Sequence, residues 1–192
     1  MNKFLILLML LLVALQFAVP THMIKSREKV LSKGELFRFK TQPIDPADPF
    51  QGRYVQLGFQ QTIIPISDGA KEELMYNEPV YVMIEEDDQG FARFTSWSRE
   101  QPLSGSYLKT RYQYEAREWD GEARIHVTTG YRVDIPFDRF YMDEKKAPVA
   151  ERLVRGRETS TNCWADVRIL NGKAVLEDLK LNGVSMRDAV AK

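Results

Sequence analysis

This chain offers few groups able to do chemistry near neutral pH, and each is weighed by its type and spacing. Of two histidines, His22 closes an apolar N-terminal segment, which leaves His126 as the one imidazole placed to act as a general base. One imidazole excludes a histidine metal cluster. His126 alternates with Ile125 and Val127 in a strand pattern, so it faces away from them and reads as a structural or surface residue. The lone cysteine, Cys163, has no partner for an intramolecular disulfide. Its place beside Trp164 in an apolar run reads as a small buried hydrophobe, not a reactive thiol.

Two serine-lysine pairs are present. Ser106-Tyr107-Leu108-Lys109 matches S-x-x-K, which in penicillin-binding enzymes opens a helix and brings hydroxyl and amine onto one face. Here the four residues enter a strand, where positions three apart point to opposite faces, and the companion S-D-N and K-T-G motifs are missing. Ser67 and Lys71 have the spacing of a hydroxyl-amine dyad, but such a lysine must be desolvated and Lys71 is followed by Glu72 and Glu73. Asp45 and Asp48 would offer paired carboxylates, yet each precedes a proline, where turn-stabilising aspartates are common. The acidic run Glu85 to Asp88 lacks the spacing of a calcium loop and reads as a solvated turn. Tyr54, Tyr112, Tyr114, Tyr131, Phe137, Phe140 and Tyr141 would suit a binding groove, although sheet-face packing accounts for them more economically. The reading is therefore a non-enzyme with no cofactor and no metal. Its rival is an envelope hydrolase using Ser-Lys or paired-carboxylate chemistry.

The elements that would position these groups are mostly strands. Alternation marks 35 to 41, "ELFRFKT", and then 54 to 60, where Val55, Leu57 and Phe59 line one face and Tyr54, Gln56, Gly58 and Gln60 the other. Between them, Pro43 to Phe50 carries two Asp-Pro steps that hold the chain extended or turned, and Gly52 provides a backbone pivot. "VYVMIEE" and "FARFTSW" flank the turn Asp87-Asp88-Gln89-Gly90 as a hairpin. "YLKTRYQYEARE" turns at Trp119-Asp120-Gly121 into "ARIHVTT", and "YRVDIPFDRFYM" follows as a strand leading into an aromatic bend. Asn171-Gly172 predicts a type I′ turn between "CWADVRIL" and "KAVLEDLKL", and Asn182-Gly183 closes the last strand. Ala147 to Val154 is the one helix expected outside the N-terminal segment, with Pro148 suited to its first turn. The fold class that results is mainly β: a single antiparallel domain over 35 to 192, sandwich or barrel-like, with one short helix.

The N-terminus is a targeting feature. Lys3 precedes an apolar run from Phe4 to Val19, and continuing to Ile24 gives enough length to cross a bilayer. Small residues are not spaced as A-x-A, so the segment 1 to 24 reads as an uncleaved anchor in preference to a removed signal peptide, and 25 to 34 either extends that helix by a turn or two or acts as a juxtamembrane stalk. Lys25, Arg27 and Lys29 follow the span while Lys3 precedes it, and the charge rule would keep the C-terminal side in the cytoplasm. A positive start followed by an apolar core has the opposite meaning, that of an export signal, and the extracytoplasmic placement is the one adopted. Across the whole chain, 27 Lys and Arg balance 27 Asp and Glu, which speaks against nucleic acid or a strongly anionic surface as the main partner.

The stretch "DPFQGRYVQLGF" resembles the G-D-Y-x-x-L-x-Y signature of the GDYXXLXY protein family of membrane-associated bacterial proteins. Gly52, Tyr54 and Leu57 match as they stand, while Arg53 replaces the motif's Asp and Phe59 its last Tyr. The lead-in "PIDPADPF" and the ending "NGKAVLEDLKLNG" are also similar to the family's. The resemblance implies an envelope protein of the inner membrane with its domain in the periplasm, associated with a multi-pass membrane protein, and no assigned activity. It makes Asp45, Asp48, Gly52, Arg53, Tyr54, Leu57 and Phe59 the candidate motif residues, structural or binding. Arg53 argues against a catalytic role for the acid it replaces.

Overall fold

A computed structural model of the chain describes residues 3–42, 54–66, 73–120, 125–143, 146, 149–150 and 163–190. The first element, α1 (Lys3–Lys33), is one continuous helix with Pro20 inside it. At 1.5 Å per residue it is about 46 Å long, enough to cross a membrane, and its apolar stretch is uncovered by the other described residues. Of the two readings of 25 to 34, the helix extension is the one met, since these residues up to Lys33 are the last turns of this helix. Nothing between Thr21 and Lys33 breaks it, and Gly34 ends it with its amide donating to the Val30 carbonyl at 2.8 Å. Val30 is the one buried residue of α1, and it docks the juxtamembrane turns onto the sheet that follows.

Among the described residues, twelve strands form two five-stranded sheets and a two-stranded ribbon, and every strand pair is antiparallel. The first sheet runs β12 (Val184–Ser185), β11 (Lys173–Leu181), β10 (Cys163–Leu170), β1 (Glu35–Gln42), β3 (Gly58–Phe59). The second runs β4 (Ile63–Pro65), β8 (Ile125–Val133), β7 (Tyr107–Asp120), β5 (Pro79–Glu86), β6 (Ala92–Ser98). It curls until its edges β4 and β6 come close, and Gln61 Oε1 accepts from the Phe94 amide across the gap at 3.2 Å, without closing a barrel. The ribbon pairs β2 (Tyr54–Gln56) with β9 (Arg139–Tyr141).

The sheets share one core because alternation on each strand turns apolar residues inward. Its centre is aromatic. Phe39 of β1 meets Phe59, Phe94 and Phe137 with ring centroids 6.1, 6.2 and 5.0 Å apart, joining both sheets. Two buried hydroxyls are satisfied by carbonyls, Thr41 donating to Cys163 and Thr110 to Asp134. Cys163 is buried as its sequence context indicates, and burial pushes its thiol up.

Several expectations are met and several corrected. Both Asn-Gly pairs have positive φ at each residue, 50° and 76° at Asn171-Gly172 and 51° and 83° at Asn182-Gly183, the signature of type I′ turns. The second turn leads into β12 instead of ending the last strand. The predicted single strand 54 to 60 is split. Leu57 donates its amide to the Asp138 carbonyl at 2.8 Å, so β2 joins the ribbon while β3 crosses to the first sheet. Trp119 and Asp120 are strand residues paired with His126 and Ile125, not a turn. A second helix that the pattern did not suggest, α2 (Met186–Ala189), buries Met186 against β11. Of the helix expected over 147 to 154, Val149 and Ala150 are described, both helical, with Ala150 fully buried.

Candidate functional site

Among the motif residues, Asp45, Asp48, Gly52 and Arg53 lie outside the described residues. The other three occupy one crossing. Leu57 and Phe59 are each 2 % exposed and belong to the core, while Tyr54 is half-buried at the ribbon's edge. The strand register sets Tyr54 opposite Tyr141 and Gln56 opposite Arg139. On the ribbon's outer face the two tyrosine rings lie 5.6 Å apart, and the Arg139 guanidinium sits over the Tyr54 ring at 5.1 Å. Arg139 also forms a side-chain hydrogen bond with Tyr141, which, with the charges of Tyr54 and Asp138, raises its pKa further. Asp138 stands 3.8 Å from Arg139, and burial pushes its carboxyl upward against the pull of that cation. Spacing alone did not single out Asp138 or Arg139. The available signal was a charged pair set between aromatics in "PFDRFY".

This cluster opens onto the side of the domain that faces the polar turns of α1. Arg139, Asp138 and Tyr141 line a cleft of about 260 Å³ whose other walls are Arg27 of α1, Pro136 and Ala174 to Leu176. The surface next to the family signature is therefore continuous with the turn of α1 that follows the apolar segment. An aromatic-cation face of this kind suits recognition of a protein surface, because rings and guanidinium bring large contact area at little conformational cost.

The other sequence candidates are dispersed. The Ser106 hydroxyl donates to the Glu35 carboxylate, whereas the Lys109 ammonium lies over the Tyr81 ring at 5.7 Å, so each member of S-x-x-K has a different partner. Ser67 and Lys71 fall outside the described residues. His126 is exposed on the outer half of the β7–β8 hairpin, its ring edge-on to Trp119 at 5.1 Å. Asp87 accepts from the backbone amides of Gln89 and Phe91 at 2.9 and 2.8 Å, which holds its carboxyl low and uses it to close the β5–β6 turn.

A sequence model described as GDYXXLXY protein matches residues 16–179. No curated protein and no solved structure matches the chain.

Proposed function

The chain belongs to the GDYXXLXY protein family, and from that premise we propose that it is a non-catalytic interaction module, anchored by α1 with its β-rich part outside the cytoplasm. Its partner is another integral membrane protein. The observation that carries this reading is the placement of the motif strand: β2 and β9 present Tyr54, Arg139 and Tyr141 beside the juxtamembrane turn of α1. A partner embedded in the same bilayer would meet that face first. Scaffold and contact roles divide along the motif, Leu57 and Phe59 holding the crossing from inside while Tyr54 faces outward.

Two measurements test it. Alkaline phosphatase fused to the C-terminus of the full chain is expected to be active, and inactivity there with an active cytoplasmic reporter would reverse the topology. Purified from membranes in mild detergent, the chain is expected to retain an integral membrane protein that Arg139→Glu or Tyr141→Ala releases. Trp119→Ala, on the distant hairpin, should leave it bound. Loss with Trp119→Ala and retention with the other two would place the contact elsewhere.

A further inference from the structure

We infer that the junction between α1 and the β10–β11 turn is a binding site for the headgroup of an anionic phospholipid. The inference needs only that α1 enters a membrane and is independent of the protein-partner reading. The turn Asn171-Gly172 is built to lie against the domain and α1 at once. Gly172 has φ of 76°, and a Cβ there would meet the Tyr107 ring at 2.8 Å and Lys109 Cβ at 3.1 Å, so the position requires glycine on two counts. Its carbonyl accepts from the Lys109 amide at 2.9 Å, which fixes Lys109 beside the turn. On the other side, Lys173 Nζ donates to Ser26 Oγ at 3.0 Å.

Cations converge here from three elements. One cleft, of about 340 Å³, is lined by His22, Lys25, Ser26, Lys29 and Val30 of α1 and by Leu170, Asn171 and Lys173 of the hairpin. The α1 positions follow the three- and four-residue spacing of one helix face. A second cleft, of about 320 Å³, shares Ser26, Val30 and Lys173 and adds Arg27 and Lys109. Five cations and a histidine thus surround the junction, and among the described residues no acid lines either cleft. This occurs in a chain whose formal charge is zero. The cleft beside the β2–β9 ribbon, by contrast, sets Asp138 beside its two arginines.

The height of the site chooses the ligand. Ile24 is the last apolar residue of the run and Lys25 follows it directly, while Lys29 is about 6 Å further along the axis. A helix that buries Phe4 to Ile24 therefore brings these ammonium groups to the level of lipid phosphates, where juxtamembrane cations gain most. The hairpin lysines reach the same level because Lys173 touches Ser26. Lys25, Arg27 and Lys29 then serve to seat the domain on the headgroup layer on either side of the membrane, and in the extracytoplasmic orientation proposed above this gives a role to cations where the charge rule expects few.

The test uses the full chain in neutral detergent, with bound lipid counted by native mass spectrometry. Phosphatidylglycerol is expected to be retained in preference to phosphatidylcholine. Replacing Lys25, Lys29 and Lys173 together by glutamine should weaken that retention about a hundredfold, at about fivefold per cation. The same three changed to arginine should keep it, and so should the pair Arg93→Gln and Arg117→Gln, which lines none of these clefts. Equal retention of both lipids, or an unchanged preference in the glutamine variant, would overturn the site. Displacement of phosphatidylglycerol by millimolar inorganic phosphate would overturn the lipid assignment in favour of a small phosphate ligand.

Discussion

Leu57→Ala separates a scaffold role for the signature from a contact role. Leu57 is 2 % exposed and lies at the crossing where the chain leaves the ribbon for the first sheet, with its amide fixed to the Asp138 carbonyl. Truncation removes three carbon atoms from a closed site, a transfer loss of about 2.4 kcal/mol at about 0.8 kcal/mol per methylene. The flanking residues Val55 and Phe59 are pinned by strand pairing to two different partners, so collapse into the space is restricted. The residual cavity raises the expected total to about 3–4 kcal/mol. Urea unfolding of the full chain in detergent, followed by tryptophan fluorescence, should show the midpoint falling with the slope unchanged. A loss below about 1 kcal/mol would refute the packing argument. A variant that keeps its stability but releases the membrane partner would make Leu57 a contact residue instead.

Three further outcomes follow from the same geometry. Gly130→Ala would set a Cβ 2.4 Å from both the Ile64 carbonyl and Ile63 Cγ2, prying β4 from β8, and a loss of about 1–3 kcal/mol in urea unfolding is expected. Asp138→Asn should stabilise the protein at neutral pH. Burial raises this carboxyl above its unfolded value, so the folded state binds the extra proton and stability declines as pH rises from the unfolded pKa to the folded one. The advantage of Asn should accordingly shrink as pH falls towards about 4, the unfolded value, and be gone below it, as read by unfolding midpoints across pH. Fluorophosphonate and β-lactam probes should label neither Ser106 nor Ser67, and labelling at Ser106 that Lys109→Ala abolishes would install the hydrolase reading instead.

The legible parts of the fold are those written in local chemistry. Asn-Gly pairs name their own turn type, so β10, β11 and the turn between them follow from the sequence, as does the acidic turn joining β5 and β6. The split at Leu57 was not legible, because alternation from Val55 to Phe59 is the same whether a strand pairs with one neighbour or two. The Asp138 carbonyl that decides it lies far along the chain. The length of α1 was half legible. Hydropathy ends at Ile24, but helix geometry continues through polar residues until Gly34, and only docking through Val30 shows what those turns do. The same limit applies to the candidate site. Tyr54 and Tyr141 stood out by type, whereas Arg139, Lys109 and Lys173 are ordinary surface cations until pairing and the Gly172 contact bring them beside α1.

The central claim is that the face bearing Tyr54, Arg139 and Tyr141 meets a protein in the same membrane. A photoreactive amino acid placed singly at Gln56, Tyr141 or Trp119 of the full chain, irradiated in intact cells, tests it most directly, since all three positions are exposed. Positions 56 and 141 are predicted to crosslink to an integral membrane protein, and position 119 is predicted to remain uncrosslinked. Crosslinks from 119 alone, or from none of the three, would contradict the account.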